Sequence, residues 1–230
     1  NNSGHTLTSI LNDSSGTIQN GITNNGSITN ITNEGKINAN GITNSSQIGM
    51  IDNTGLITGN LTNDTNSIIT TINTGSITGS IANSGEITTL NVTGNVNNGI
   101  TNDSNIANLI INQGVSLGNN GISNNAGNIA NLTINKGVNL GNSGITNNAN
   151  IGSLIVNESV SYNGSGSISN ALGIAKDKTL TATNGITLNA TSGSVNNLGT
   201  IAGNLSNVKD STITNFNNSG IITGDLYNDG

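Results

Sequence analysis

A motif that returns about every 20 residues constrains this chain more than any other feature. Ile57-Thr58-Gly59-Asn60-Leu61-Thr62-Asn63 recurs as Ile77-Thr78-Gly79-Ser80-Ile81-Ala82-Asn83. It returns downstream as Ile201-Ala202-Gly203-Asn204-Leu205-Ser206-Asn207 and as Ile222-Thr223-Gly224-Asp225-Leu226-Tyr227-Asn228. The aliphatic residue after the turn steps along the chain as Ile22, Ile42, Leu61, Ile81 and Ile100. Such periods mark stacked units, none of which can bury its apolar side chains alone.

A longer version of the unit fills residues 99–168. Gly99-Ile100-Thr101-Asn102, Gly121-Ile122-Ser123-Asn124 and Gly144-Ile145-Thr146-Asn147 each open an aliphatic series. The series run Ile106, Leu109, Ile111, Val115, Leu117; then Ile129, Leu132, Ile134, Val138, Leu140; then Ile151, Leu154, Val156, Val160, Tyr162. We therefore divide a single array over 1–230 into coils of about 20 residues at 1–98, coils of about 22–23 at 99–168, an irregular stretch at 169–198, and coils of about 20 at 199–230.

The unit is β. Ile and Thr dominate, helix formers are scarce, and no apolar stripe of helical spacing reaches helical length. Strands of three to five residues between Asn, Gly and Ser turns are expected. The Asn-Gly pairs at Asn20, Asn40, Asn98, Asn120 and Asn184 carry the usual hairpin signal. They recur once per repeat at one phase, however, and the segments between them are too short for a stable antiparallel ladder. Winding the same way each time stacks every strand on its equivalent one turn away. The expected fold is all-β, a parallel β-helix (β-solenoid) of about 10–11 coils, roughly 50 Å long at ~4.8 Å per coil.

Composition agrees. The chain has 230 residues and no proline, where ordinary usage of about 5% predicts about eleven. Proline lacks the N–H that every interior coil donates to its neighbour. Asn makes up roughly a fifth of the chain. At Asn63, Asn83, Asn102, Asn124 and Asn147 it tolerates turn geometry and offers an amide that can stack on the next coil. Ile106→Asp or a proline at Ile129 should break that stacking.

Chemistry is sparse. There is no Cys and no Arg, and five Lys stand against eleven acids for a net charge of −6. This excludes thiolate sites and a basic nucleic-acid surface, and no aliphatic run approaches a membrane span. His5 is the single histidine and lies outside the repeats, so neither a histidine metal site nor a Ser-His-Asp triad is expected. Carboxylates are isolated at comparable turns (Asp64, Asp103, Asp229) or on outward faces (Glu34, Glu86), whereas glycoside-cleaving sites pair them. Asp177 between Lys176 and Lys178 is the one dense charge cluster and reads as a solvated loop. No catalytic, cofactor or metal site is assigned. Sequons such as Asn60-Leu61-Thr62, Asn102-Asp103-Ser104 and Asn131-Leu132-Thr133 are no more frequent than the Asn, Ser and Thr content implies. A flat Thr-x-Thr array for binding ice is lacking; Thr181-Ala182-Thr183 stands alone.

The coil Ile72-Asn73-Thr74-Gly75-Ser76-Ile77-Thr78-Gly79-Ser80-Ile81-Ala82-Asn83-Ser84-Gly85 resembles passenger repeats of large bacterial autotransporter and haemagglutinin-type surface adhesins. The resemblance is one of repeat style over nearly the whole chain. It implies export and display of a β-helical stalk at the bacterial cell surface. The expected role is a non-enzymatic structural or adhesive stalk, a slice of a longer protein. Its partners would be itself or a host or abiotic surface, without nucleic acid or membrane insertion. A self-assembling filament, sheath or surface-layer subunit is the alternative, ahead of an ice-binding or carbohydrate-active β-helix.

Overall fold

The computed structural model describes residues 1–230 and contains strands and turns but no helix. The chain winds as a parallel β-solenoid of about 11 coils and about 20 residues per turn. Its strands form two parallel sheets of 16 and 11 strands. The repeat period becomes a hydrogen-bond register. Ile22 pairs with Ile42, Ile42 with Leu61, Leu61 with Ile81, Ile81 with Ile100, and the column runs on through Ile122 to Ile145.

Through residues 42–144 each coil carries one short and one long strand. The short strands, such as Ile100–Asn102, are three residues long. The long ones reach seven residues at Ser27–Asn33 and eleven at Gln47–Ile57, beyond the three to five expected. The pattern of Ser27–Asn33 explains the difference. Ile28 and Ile31 both point inward with two residues between them, an interruption of strict alternation that looks like a turn in sequence. In the structure the strand bends there and continues, and the register passes from Ile28–Ile48 to Asn30–Met50 across the bend.

The inward columns merge into one core of 45 buried residues, nearly all Ile, Leu and Val. Every member of the first two aliphatic series is buried. The third series departs after Val156. Tyr162 pairs with Ile145 instead of continuing the column of Leu117 and Leu140, because this coil omits the loop that precedes Gly144. Only 17 residues separate the paired Ile151 and Ile168, against 22 between Ile129 and Ile151. The strands Thr179–Thr181, Ile186–Leu188 and Gly193–Asn197 carry the winding through the stretch that follows.

Coils this close leave some corners room only for hydrogen. Gly121 has φ +57°, and a Cβ there would lie 2.0 Å from the carbonyl oxygen of Gly144 on the next coil. The left-handed conformation and the close approach both require glycine.

The asparagine ladder is present and longer than the sequence indicated. Asn1, Asn24, Asn44, Asn63, Asn83, Asn102 and Asn124 each donate through Nδ2 to Oδ1 of the next member, the last to Asn147, at 2.8–2.9 Å. Asn24 to Asn147 are essentially fully buried. All the amides point the same way, and Asn147 hands the last bond to Tyr162 Oη at 3.0 Å. Burial pushes the Tyr162 phenol up, opposed by that bond. A second column runs Asn12, Asn33, Asn53 and ends on Thr74 Oγ1. Chains of aligned hydrogen bonds polarise one another and strengthen in a low-dielectric interior, where an unpaired amide is costly.

Candidate functional site

The outward side chains form columns as regular as the inward ones. On the short-strand face, Thr23, Thr43, Thr62, Ala82, Thr101, Ser123 and Thr146 stand in one row. The adjoining corner carries Asn25, Ser45, Asp64, Ser84, Asp103, Asn125 and Asn148, whose backbone N–H groups bond to the preceding coil. Ser45 Oγ donates to Asp64, and Asn125 Nδ2 donates to Asp103 at 2.9 Å. On the long strands, surface amides also ladder: Asn131 bonds to Asn108 at 3.0 Å and Asn150 to Asn128 at 2.6 Å. These outward columns are thus small, polar and repetitive, and large exposed apolar side chains are few, Ile68, Ile155 and Leu198 along the rod and the rest near its two ends.

The residues singled out in the sequence remain apart. His5 is exposed, its Nδ1 within 3.1 Å of the Ser3 carbonyl oxygen. Asp64 and Asp103 share a corner column with Ser84 between them, and Asp229 takes the equivalent corner after Asn228. Glu34 and Glu86 are exposed. None of the five main surface hollows is lined by more than one carboxylate. No cluster of three or more His, Cys, Asp or Glu has metal-binding proximity. Of the quoted sequons, Asn60 and Asn131 are exposed, whereas Asn102 is locked in the buried ladder and closed to modification in the folded chain.

One arrangement escaped the sequence reading. Lys178 turns away from Asp177 and pairs with Glu158 on the preceding coil at 2.7 Å, the single ion pair of the molecule. Glu158 also accepts from the Gly137 N–H at 2.7 Å and from its own neighbour Ser159 N–H at 3.0 Å. Its carboxylate therefore ties three successive coils. Residues 158 and 178 lie one coil period apart, which is the signal that would have paired them. Beside this clasp lies a hollow of about 440 Å³, floored by Val138, Leu140 and Val160 and rimmed by Asn139, Ser161 and Thr181.

These bonds, first that from Lys178, hold the Glu158 carboxyl down from 4.5 to about 2. A carboxyl whose pKa is depressed by folding stabilises the native state above its unfolded pKa and loses that effect as pH falls through the folded value. The contribution is thus complete above pH 4.5 and disappears toward pH 2. Urea melts of the parent chain and Glu158→Gln should differ at pH 6 and converge near pH 2. An equal gap at both pH values would contradict this assignment.

No protein-family model matches the chain, and no curated protein or solved structure matches it.

Proposed function

We propose that this chain is a non-enzymatic β-helical stalk, structural or adhesive, displayed outside a bacterial cell in the manner of autotransporter and haemagglutinin-type adhesin passengers. The observation that carries the reading is the continuity of the buried columns. The amide ladder and the aliphatic stacks assign the repeated Ile and Asn to holding one coil on the next. What remains for the exterior is a lattice of small hydroxyl and amide groups with few charges, suited to contact over area rather than to a concentrated reaction centre.

Protease shaving of intact producing cells, with electron microscopy of the released material, tests the reading. Release of resistant single rods supports a displayed stalk. A chain protected inside intact cells would refute surface display, and regular polymers would favour a filament or surface-layer subunit. A hydrolase or lyase activity abolished by Glu158→Gln would refute the non-enzymatic role.

A further inference from the structure

We propose that the rod opens first at a built-in seam, the strand Val160–Asn163, which divides it into two cooperative blocks, residues 1–163 and 164–230, clasped by Glu158. The inference rests on the solenoid itself and stands apart from the stalk reading.

Interruptions of three kinds meet at this strand and at the long strand that follows it. The buried amide ladder that runs from Asn1 ends on Tyr162, and no buried side-chain amide follows until Asn197. The strand Val160–Asn163 is sheared. Tyr162 and Asn163 pair only backward, with Ile145 and Thr146, while Val160 and Ser161 pair only forward, with Leu180 and Thr181. Elsewhere on the short-strand face a residue such as Ile122 is laddered on both sides. On the long face, Ser167–Ile174 meets its predecessor through a register shift between Ile151 and Ser153. It then forks onto two separate strands, Ile186–Leu188 and Gly193–Asn197. Asn197 itself stands two coils further on, in the other inward column after Val156 and Ile174, and its Oδ1 is the one buried side-chain polar atom without a partner.

A solenoid's stability is close to a sum of coil terms and nearest-neighbour interface terms, so a defect in one interface localises opening. The interface at the seam has lost the amide bond and half of the pairing on each side of its short strand. Glu158 supplies a local substitute, since its bonds to Gly137, Ser159 and Lys178 span the coil before, its own coil and the coil after. Ser159 Oγ adds a second tie by accepting from Thr179 N–H at 3.0 Å.

Hydrogen exchange read by mass spectrometry on the whole 230-residue chain tests this, with Glu158→Gln and Lys178→Met as variants. Both side chains are partly exposed, at 20% and 25%, so both variants are expected to fold, which their circular dichroism checks. In the parent chain, amides of 160–163 and 179–181 should exchange at least tenfold faster than those of 106–111 and 129–134. Each variant should raise exchange at 157–181 several-fold further and leave 42–124 unchanged. Protection that falls smoothly from the middle of the rod to both ends, with no step at 160–163, overturns the seam. Exchange raised evenly along all coils by either variant, or a seam indifferent to both, overturns the clasp and the proposal with it.

Discussion

Ile106→Asp is expected to destabilise the rod by more than about 4 kcal/mol. Ile106 is fully buried and stacks between Ile87 and Ile129 in an unbroken aliphatic column. The core that surrounds it holds no basic side chain to pair with a carboxylate. The charge cannot leave the column without turning the strand, and a one-residue turn would place Asn105 or Ala107 inward. Because burial disfavours the ionised form, the substituted carboxyl would take up a proton, and its cost should shrink as pH is lowered toward 4. Urea unfolding at pH 7 and pH 4 reads both effects. Ile106→Val, which removes one methylene without adding polarity, should lose only about 0.5–1.5 kcal/mol. An aspartate variant as stable as the valine variant would contradict the stacked core.

Asn102→Leu is expected to cost about 2–6 kcal/mol although it makes the core more apolar, since it orphans two buried groups at roughly 1–3 kcal/mol each. Asn102 accepts from Asn83 Nδ2 and donates to Asn124 Oδ1, both at 2.8 Å. Leucine leaves that Asn83 hydrogen and the Asn124 oxygen facing hydrocarbon. Asn83 keeps its other bond, to the Asn105 carbonyl, so it cannot swing away to recover a partner without breaking that one too. The matched comparison is Asn131→Leu. Asn131 also ladders, onto Asn108, but it is exposed and water replaces the lost bond; there the change should stay within about 0.5 kcal/mol. Chemical denaturation of the two variants separates them. Equal losses would mean that the ladder contributes no more when buried than at the surface.

The solenoid was legible because its cause is local and repeated. Equivalent Ile residues at fixed steps can be buried together only by parallel stacking, and the structure pairs those residues directly. The amide ladder was legible from Asn63 through Asn83, Asn102 and Asn124 to Asn147, where each repeat has one Asn at the equivalent turn position. Its extension to Asn24 and Asn44, and the second column through Asn12, Asn33 and Asn53, were not. Nor was the Glu158–Lys178 clasp, which the charge run around Asp177 obscured.

Ile28-Thr29-Asn30 and Ile31-Thr32-Asn33 show where that boundary falls. The two triplets are identical in sequence, yet Asn30 faces outward and is half-buried while Asn33 is buried and bonded to Asn53. Residue type and period by themselves determined that the chain winds, that its aliphatics stack and that its strands pair in parallel with their equivalents one coil away. Which asparagine turns inward depends on where the long strand bends, and which coil breaks the ladder depends on the 17-residue turn at Tyr162. Both are set by how one coil fits over the next. A local sequence fixes only the alternation of side chains, and it is the contact between coils that decides which side becomes the interior.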